Sequence, residues 1–224
     1  YRYRIQKMSN RLNITPQDKV HISKMTGKLD GFKAVSTNTV TNSFCQKMNT
    51  SGDTICRICY SHGMLKSYRK NMQASLQRNS DLLSSRLLEQ SELPTLLDAF
   101  LRINAHGELI NQTHLENIFL IAEHNPHCNV AIWTKRKDIV AKVLAKRDKP
   151  ANIILVWSNP KIDKVVYTPP KHFDRVFNNV THDHKEAEQN CTGQQCKNCL
   201  LCYKFDTTKV IIEAIKLNGR TIKT

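Results

Sequence analysis

The sequence predicts an α/β fold in which parallel βα units form an open sheet or a partial (β/α) barrel, with a Cys-rich cluster-binding segment near the C-terminus. Apolar, β-branched segments alternate with segments whose apolar residues recur at helical spacing. Polar residues directly follow several of the apolar segments, where such folds place their sites. The length of 224 residues suits one domain with an appendage.

The elements are expected in a regular alternation along the chain. About five strands are predicted, at 32–36, 101–105, 130–134, 152–158 and 173–180, the last with the weakest pattern. Helices are predicted at 64–77, 81–89, 113–124, 138–146 and 209–217, and residues 96–100 are interpreted as an extension of the second helix. Asn79 or Ser80 is the expected N-cap of that second helix.

These elements divide the chain into three parts. Residues 1–31 are interpreted as an N-terminal extension, because they hold short polar stretches with proline and glycine. Residues 32–180 form the βα core with the first cysteine group. Residues 181–224 form the Cys-rich segment and a closing helix.

The composition describes a basic globular protein. The formal net charge is +15, which suits nucleic acid or another polyanion as a partner, although a solvated basic surface without a partner explains it equally well. No run of about 18 apolar residues exists that predicts a membrane span. The opening residues lack the apolar core of a signal peptide, so a cytoplasmic location is expected.

Cysteine is the most informative residue type. Seven of the eight cysteines form two groups, Cys45, Cys56 and Cys59, then Cys191, Cys196, Cys199 and Cys202. Two-residue gaps place thiols toward one point, which favours metal ligation over disulfides. The late group contains an unbroken C-x2-C-x2-C run, a spacing typical of a [4Fe–4S] cluster, with zinc as the alternative.

The first group has three cysteines, so its ligand set is open. Three thiolates on a cubane leave one iron free for a small molecule. Alternatively, a fourth ligand comes from Cys128, His62 or a late cysteine. Three cysteines in the first group and four in the late group predict two clusters, and a single cluster shared by both groups is the alternative.

Further polar residues follow the predicted strands. They are His106-Gly107-Glu108, Thr134-Lys135-Arg136 and Ser158-Asn159. The carboxyl ends of parallel strands meet at one edge of a sheet, so these residues and the first cysteine loop are expected to share a pocket. His182-Asp183-His184 has metal-binding residue types, but we interpret it as a polar loop.

Several of these motifs resemble known families. Cys56-Arg57-Ile58-Cys59-Tyr60 after a first strand and Gly107-Glu108 after the next resemble the radical S-adenosylmethionine (SAM) fold. Residues 44–48, 106–111, 133–136 and 198–203 are, in this order, similar to the phage and Firmicute family called gene product eighty-eight, over about residues 32–205.

The radical SAM resemblance implies specific roles for the strand-end residues. Cys45, Cys56 and Cys59 would hold three irons of an open [4Fe–4S] cluster, whose fourth iron binds SAM. Glu108 would accept hydrogen bonds from the SAM ammonium, and Lys135 or Arg136 would pair with its carboxylate. The pattern departs from that superfamily, because ten residues separate Cys45 from Cys56 and His106 precedes Gly107.

Three function classes follow from the sequence. The first is a radical-SAM-like iron–sulfur enzyme. The second is a non-catalytic iron–sulfur protein of phage origin that binds nucleic acid or a host protein in the host cytoplasm. The third is a zinc-stabilised binding domain. The sequence names no substrate for any of them.

Overall fold

The computed structural model describes residues 19–184 and 188–215 of the chain. Its strands form one seven-stranded sheet in the order of the chain. They are β1 Ile22–Lys24, β2 Lys33–Val35, β3 Phe100–Ile103, β4 Asn129–Thr134, β5 Ile153–Ile162, β6 Arg175–Val180 and β7 Val210–Ala214. β1 pairs antiparallel with β2, and all other neighbours are parallel. The predicted α/β class with an open parallel sheet is confirmed.

The strand order is that of a sheet wound in one direction. From β2 to β7, spatial order equals chain order, without the reversal that defines a doubly wound sheet. A (β/α) barrel has the same order before closure. The structure has six parallel strands rather than the predicted five, because residues 210–214 form β7 and not a helix. Residues 216–217 of that predicted helix lie outside the described residues.

The α-helices connect the strands or carry cysteines. They are α1 Ser43–Asn49, α2 Tyr60–Lys66, α3 Gln73–Ser85, α4 Gln112–His124, α5 Lys137–Leu144 and α6 Cys196–Cys199. The predicted boundary at Asn79 and Ser80 is wrong, since both lie inside α3. Asn79 Nδ2 donates to the Ser36 carbonyl (2.9 Å), and Ser80 Oγ accepts from the Asn38 amide (2.9 Å). These tertiary hydrogen bonds replace the expected capping role.

The helix predicted for 81–89 also ends earlier than expected. α3 stops at Ser85, and residues 96–99 do not extend it, because they lead directly into β3. The helices predicted at 113–124 and 138–146 are confirmed as α4 and α5 within two residues at each end.

The sheet separates two apolar clusters. Because successive strand residues point to opposite faces, Val130 and Ile132 of β4 pack with the helices, whereas Ala131 and Trp133 face the other side. We call this other side the inner face. Residues of the late cysteine segment, among them Cys202, cover the inner face and pack against Trp133 and its neighbours.

Residues 19–31 join the edge of this sheet. β1 continues the sheet beyond β2, and the following 3-10 helix, Gly27–Leu29, places Leu29 against the inner-face cluster. Residues 1–18 of the predicted extension lie outside the described residues. Among the described helices, none is both long and apolar enough to cross a membrane.

Candidate functional site

One large cavity opens at the carboxyl edge of the sheet, with a volume of about 810 Å³. Both cysteine groups line it, through Cys45, Cys56, Cys59, Cys191, Cys196 and Cys202. Gly107, Glu108, Lys135 and Ser158 line it as well. The expectation that the strand-end residues share one pocket therefore holds for these residues.

The first cysteine group lies on the connection between β2 and α2. The Asn42 side chain caps α1, and its Oδ1 accepts from the backbone amides of Phe44 (3.0 Å) and Cys45 (3.2 Å). The Asn49 side chain donates to the Cys56 carbonyl at 2.8 Å. These side-chain contacts fix the backbone of a loop that has ten residues between its first two thiols.

The thiols of this group share one electrostatic environment. Burial raises the pKa of Cys45 well above its usual range, and the charges of Glu108, Cys59 and Cys56 add to the rise. Burial also raises the pKa of Cys56, although the positive charge of Lys135 acts against it. The metal-free thiols of Cys45 and Cys56 are therefore protonated at neutral pH, and a metal would have to displace their protons.

The candidates for a fourth ligand differ in position. His62 lines the cavity, whereas Cys128 is buried in the core on the helix side of the sheet. Burial raises the pKa of Cys128 to about 12, as expected for an inert thiol among apolar side chains. Cys128 therefore does not share the cavity with the first group, and the late cysteines and His62 do.

Gly107 stands where the chain turns out of β3. Its φ is +80°, in the left-handed region, and its amide donates to Thr39 Oγ1 at 2.8 Å. A Cβ at this position would lie 2.1 Å from Thr37 Oγ1. Glycine is required here by both the backbone conformation and the close approach of Thr37.

Glu108 is largely engaged within the protein. Its Oε1 accepts from Thr134 Oγ1 (2.6 Å) and from the Leu109 amide (2.8 Å), and its Oε2 accepts from the Lys135 amide (2.8 Å). A carboxylate has about four acceptor sites, so most of its capacity is used. Its principal contacts therefore tie the end of β3 to the end of β4.

The two predicted cations have different surroundings. The Lys135 ammonium donates to Ser158 Oγ at 3.1 Å and lines the cavity. The Arg136 side chain pairs with Asp138 (2.7 Å), donates to the Leu109 carbonyl (3.2 Å) and is not among the lining residues. Ser158 lies within β5, which continues to Ile162 beyond an irregular register, whereas the predicted strand ended at Ser158.

A buried polar network supports the cavity wall beside the first cysteine group. Thr39 Oγ1 and Ser61 Oγ are 2.6 Å apart, and His106 Nδ1 lies 3.0 Å from the same Ser61 hydroxyl. Burial, with a contribution from the Arg102 charge, lowers the pKa of His106 to about 4. His106 is therefore neutral at pH 7 and connects the β3 end with the α2 start.

The late cysteine group encloses a small pocket of its own. All four thiols line a space of about 20 Å³, together with Lys28. The Lys28 ammonium donates to Cys191 Sγ at 3.0 Å and pairs with the Glu213 carboxylate. Although burial lowers the pKa of Lys28, these two hydrogen bonds outweigh it and raise the pKa above its usual value.

The late thiols differ in depth. Burial raises the pKa of Cys202 to about 12 and also raises the pKa of Cys196. The charges of neighbouring late cysteines add to the rise in both pKa values. Cys202 and Cys196 belong to the apolar packing of the inner face, which links this group to the core.

Among the cavity residues that the sequence analysis did not assign to the site are Arg102, Trp133 and Tyr203, which line it from the inner face. Arg102 follows Leu101 in a strand whose alternate residues are apolar, and this interruption by a charge is the signal that the sequence offered. Its guanidinium carbon lies 3.9 Å from the centroid of the Trp133 ring.

Among the described residues, neither the two cysteine groups nor the other candidates form a compact ligand set. Within residues 19–184 and 188–215, no three His, Cys, Asp or Glu side chains are arranged to hold a single metal ion. In the motif 182–184, His184 Nδ1 lies 3.4 Å from Asp163, and His182 lines the cavity. The interpretation of this motif as a polar loop remains a prediction.

Comparison with known proteins identifies the family. No curated protein matches the chain, and no solved structure matches it. Residues 6–214, nearly the whole chain, match the family described as Gene product 88. The resemblance inferred from the ordered motifs is thus confirmed, and the chain belongs to the Gene product 88 family.

Proposed function

We propose that this chain is a radical-SAM-like iron–sulfur protein with an open [4Fe–4S] cluster at Cys45, Cys56 and Cys59. The observation that carries the proposal is that these three thiols share one large cavity with Gly107, Glu108 and Lys135 at the carboxyl edge of a singly wound parallel sheet. Ligand sites of such sheets lie at this edge.

The donor set suits the proposed cluster. Three soft thiolates on one cavity wall select iron–sulfur or zinc chemistry over hard cations. When bound, an open cluster would supply the site for the amino and carboxylate groups of SAM and the electron that cleaves it. The cavity of about 810 Å³ has the size of sites that take a cofactor together with a substrate.

The residues around the first group would orient SAM in different ways. Among the described residues, the hydrogen-bond acceptor of the Lys135 ammonium is the neutral Ser158 hydroxyl, so Lys135 is a cation available to a carboxylate. Arg136 is paired with Asp138 and is withdrawn from this role. Glu108 would act mainly through the Lys135 backbone that it holds, with its remaining acceptor capacity directed at an ammonium.

We propose a second, structural metal centre at the late group, Cys191, Cys196, Cys199 and Cys202. Four thiolates leave no open iron, and two of them pack in the inner-face core. The enclosed space of about 20 Å³ has room for a single ion or water, and this observation supports zinc as the second candidate there. A [4Fe–4S] cluster would need the thiols to separate.

Metal analysis of anaerobically purified and reconstituted protein tests both centres. Two cubanes give about eight irons per chain, and one open cubane with zinc gives about four irons and one zinc. Cys56→Ser should remove about four irons, whereas Cys128→Ala, which alters a thiol outside the cavity, should leave the metal content unchanged. Colourless protein with zinc alone after reconstitution would contradict an iron–sulfur function.

A non-catalytic role in nucleic-acid binding is the second candidate function. It is supported by the end of α2 and the loop that follows it, where residues 66–71 are all exposed. This loop segment contains Lys66, Arg69 and Lys70, and the Tyr68 side chain is 77% exposed between them. Cations that flank an exposed aromatic ring match the backbone and base contacts of single-stranded nucleic acid.

Oligonucleotide binding at several salt concentrations tests this candidate. If the loop binds, replacing Lys66, Arg69 and Lys70 by glutamine should weaken binding of a single-stranded oligonucleotide and reduce the salt dependence by about three phosphate contacts. Replacing Lys24, Lys142 and Lys171 by glutamine removes three exposed charges elsewhere and is the matched control. Equal losses in the two variants would indicate a general charge effect and reject a dedicated site.

A further inference from the structure

Arg102 occupies an unusual position on the cavity wall. It lies on β3, where Leu101 and Ile103 face the helix-side core, so its own side chain faces the inner side of the sheet. The guanidinium stacks on Trp133, with 3.9 Å between its central carbon and the ring centroid. A stacked guanidinium keeps its N–H groups directed outward in the plane of the group.

The charge of Arg102 has no acidic counterpart. Among the described residues, no Asp or Glu forms an ion pair with it, and its buried Nε has no hydrogen-bond acceptor. Arg175 on β6 provides the contrast, since it pairs with Asp206 (2.9 Å) and donates to the Thr208 carbonyl (3.0 Å). Leaving a buried charged donor unpaired is costly, which suggests that a ligand completes the site.

The other charges of the cavity do not neutralise Arg102. Glu108 is held by Thr134 and Lys135, and Glu213 is paired with Lys28. The Lys135 ammonium contacts a neutral hydroxyl, so it adds a second positive charge to the cavity. Among the described residues, the buried Tyr203 hydroxyl, a further cavity group, interacts with Arg102 and has no acceptor for its own proton.

We propose that Arg102 anchors an oxyanion, and that the substrate of this cavity carries a carboxylate or phosphate group that binds between the two cysteine groups. The proposal deepens the proposed function and rests on it, because the anion would hold the substrate in the cavity that takes SAM. The planar guanidinium donates two parallel hydrogen bonds to such a group, and the Tyr203 hydroxyl supplies a further donor. Trp133 and Phe177 offer apolar surface to the remainder of the molecule.

A competing role for Arg102 is neutralisation of the late thiolates. Cys202 and Cys196 both respond to the Arg102 charge. In that case Arg102 would retain the metal and bind no ligand. The two roles predict different defects in an Arg102 variant. If Arg102 anchors an anion, the variant loses anion affinity; if it neutralises the late thiolates, the variant loses metal.

Calorimetric titration of the anaerobically purified full chain tests the proposal, with inorganic phosphate and benzoate as separate probes at low salt. We expect saturable binding of at least one probe, and the preferred probe identifies the phosphate or carboxylate source. Arg102→Gln should weaken binding at least tenfold, and Arg102→Lys should do so by less. Arg147→Gln, which removes a cation paired with Glu123 outside the cavity, should bind as the unaltered protein does.

Metal content and circular dichroism of each variant separate the outcomes. Saturable binding that Arg102→Gln abolishes at unchanged metal content and fold supports the proposal. Unchanged affinity in Arg102→Gln, or no saturable binding of either probe to the unaltered protein, would overturn it. Loss of iron in Arg102→Gln without any anion binding would assign Arg102 to the thiolates. Anion binding by protein that holds no iron would leave this site standing and reject the iron–sulfur function.

Discussion

Glu108 accepts a hydrogen bond from the backbone amide of Lys135 at 2.8 Å, and so joins the end of β3 to the end of β4. The same carboxylate also accepts from the Thr134 hydroxyl at 2.6 Å. The residue that sequence resemblance assigns to SAM therefore also shapes the cavity edge. A loss of activity in a Glu108 variant would have two explanations unless stability is measured with it.

Glu108→Ala should lower the free energy of unfolding by about 2–4 kcal/mol, because it leaves three donors, the Thr134 hydroxyl and the Leu109 and Lys135 amides, without their charged acceptor. Glu108→Gln should cost less, since one oxygen remains. Denaturant unfolding monitored by circular dichroism measures both. If Glu108→Ala unfolds at the same denaturant concentration as the unaltered protein, Glu108 does not hold the strand ends together.

Gly107→Ala should be among the most destabilising substitutions in the chain. Its Cβ would meet Thr37 Oγ1 at 2.1 Å, and the backbone would keep a φ of +80°. We expect a loss above about 3 kcal/mol, or a fall in melting temperature of about 2–4 °C per kcal/mol. Gly27→Ala has the positive φ without the contact, and Gly52→Ala has neither. If Gly107→Ala and Gly27→Ala have the same melting temperature, Thr37 can move away from the added methyl group at little cost, which would contradict the predicted effect of the close contact.

Stability should fall in mildly acidic solution because of buried histidine. Burial lowers the pKa of His114 in α4 from 6.5 to about 4, and its Nδ1 accepts the Ile110 amide at 3.2 Å. The folded protein favours the neutral His114 ring, whereas the unfolded chain takes up a proton below pH 6.5. The contribution of His114 to the free energy of unfolding is therefore complete above pH 6.5 and is lost as pH falls toward 4. Linkage gives a loss of about 2 kcal/mol by pH 5, with a similar contribution from His106.

Denaturant unfolding between pH 7 and 4 measures this loss. His114→Asn keeps an acceptor near the Ile110 amide without a titrating ring, and should remove part of the slope with pH. Glu92 provides a separate window, because its hydrogen bond with Arg86 lowers its pKa to about 2, so its contribution is lost only between pH 4.5 and 2. A slope that is identical with and without His114 would contradict the assignment.

Substitutions in the late cysteine group should lower the thermal stability of the protein, because the proposed role of this group is structural. Cys196 and Cys202 pack against the inner-face cluster. Bonds from their sulfur atoms to a metal would therefore hold the late cysteine segment against this face of the sheet. Cys196→Ser, or removal of metal by a chelator, should lower the melting temperature more than Cys45→Ser does. A soluble Cys196→Ser variant that melts with the unaltered protein would contradict the structural role.

Part of this architecture could be predicted from the sequence, because it depends on local patterns. β4 and β5 read as apolar β-branched segments, and parallel connections bring their ends to one edge. The carboxyl-edge placement of the first cysteine loop, Gly107, Glu108 and Lys135 followed from this. β7 was missed because Val210–Ala214 is too short for periodicity to distinguish strand from helix, and pairing with β6 decides its conformation.

The side-chain contacts of the site could not be predicted, because they depend on residues distant in sequence. Arg136 is next to Lys135, yet its pairing with Asp138 withdraws it from the cavity. Arg102 enters the site only because the late segment covers the inner face of the sheet. Lys28, in a stretch assigned to an extension, contacts Cys191 across 163 residues of sequence.

Electron paramagnetic resonance of the reduced, reconstituted protein with and without SAM tests the central claim most directly. We expect a [4Fe–4S] signal from the first cysteine group that shifts when SAM is added. Cys59→Ser should abolish the shift, Lys135→Gln should weaken it, and Cys128→Ala should leave it unchanged. A fully loaded cluster whose signal is the same with and without SAM would contradict the radical-SAM-like function.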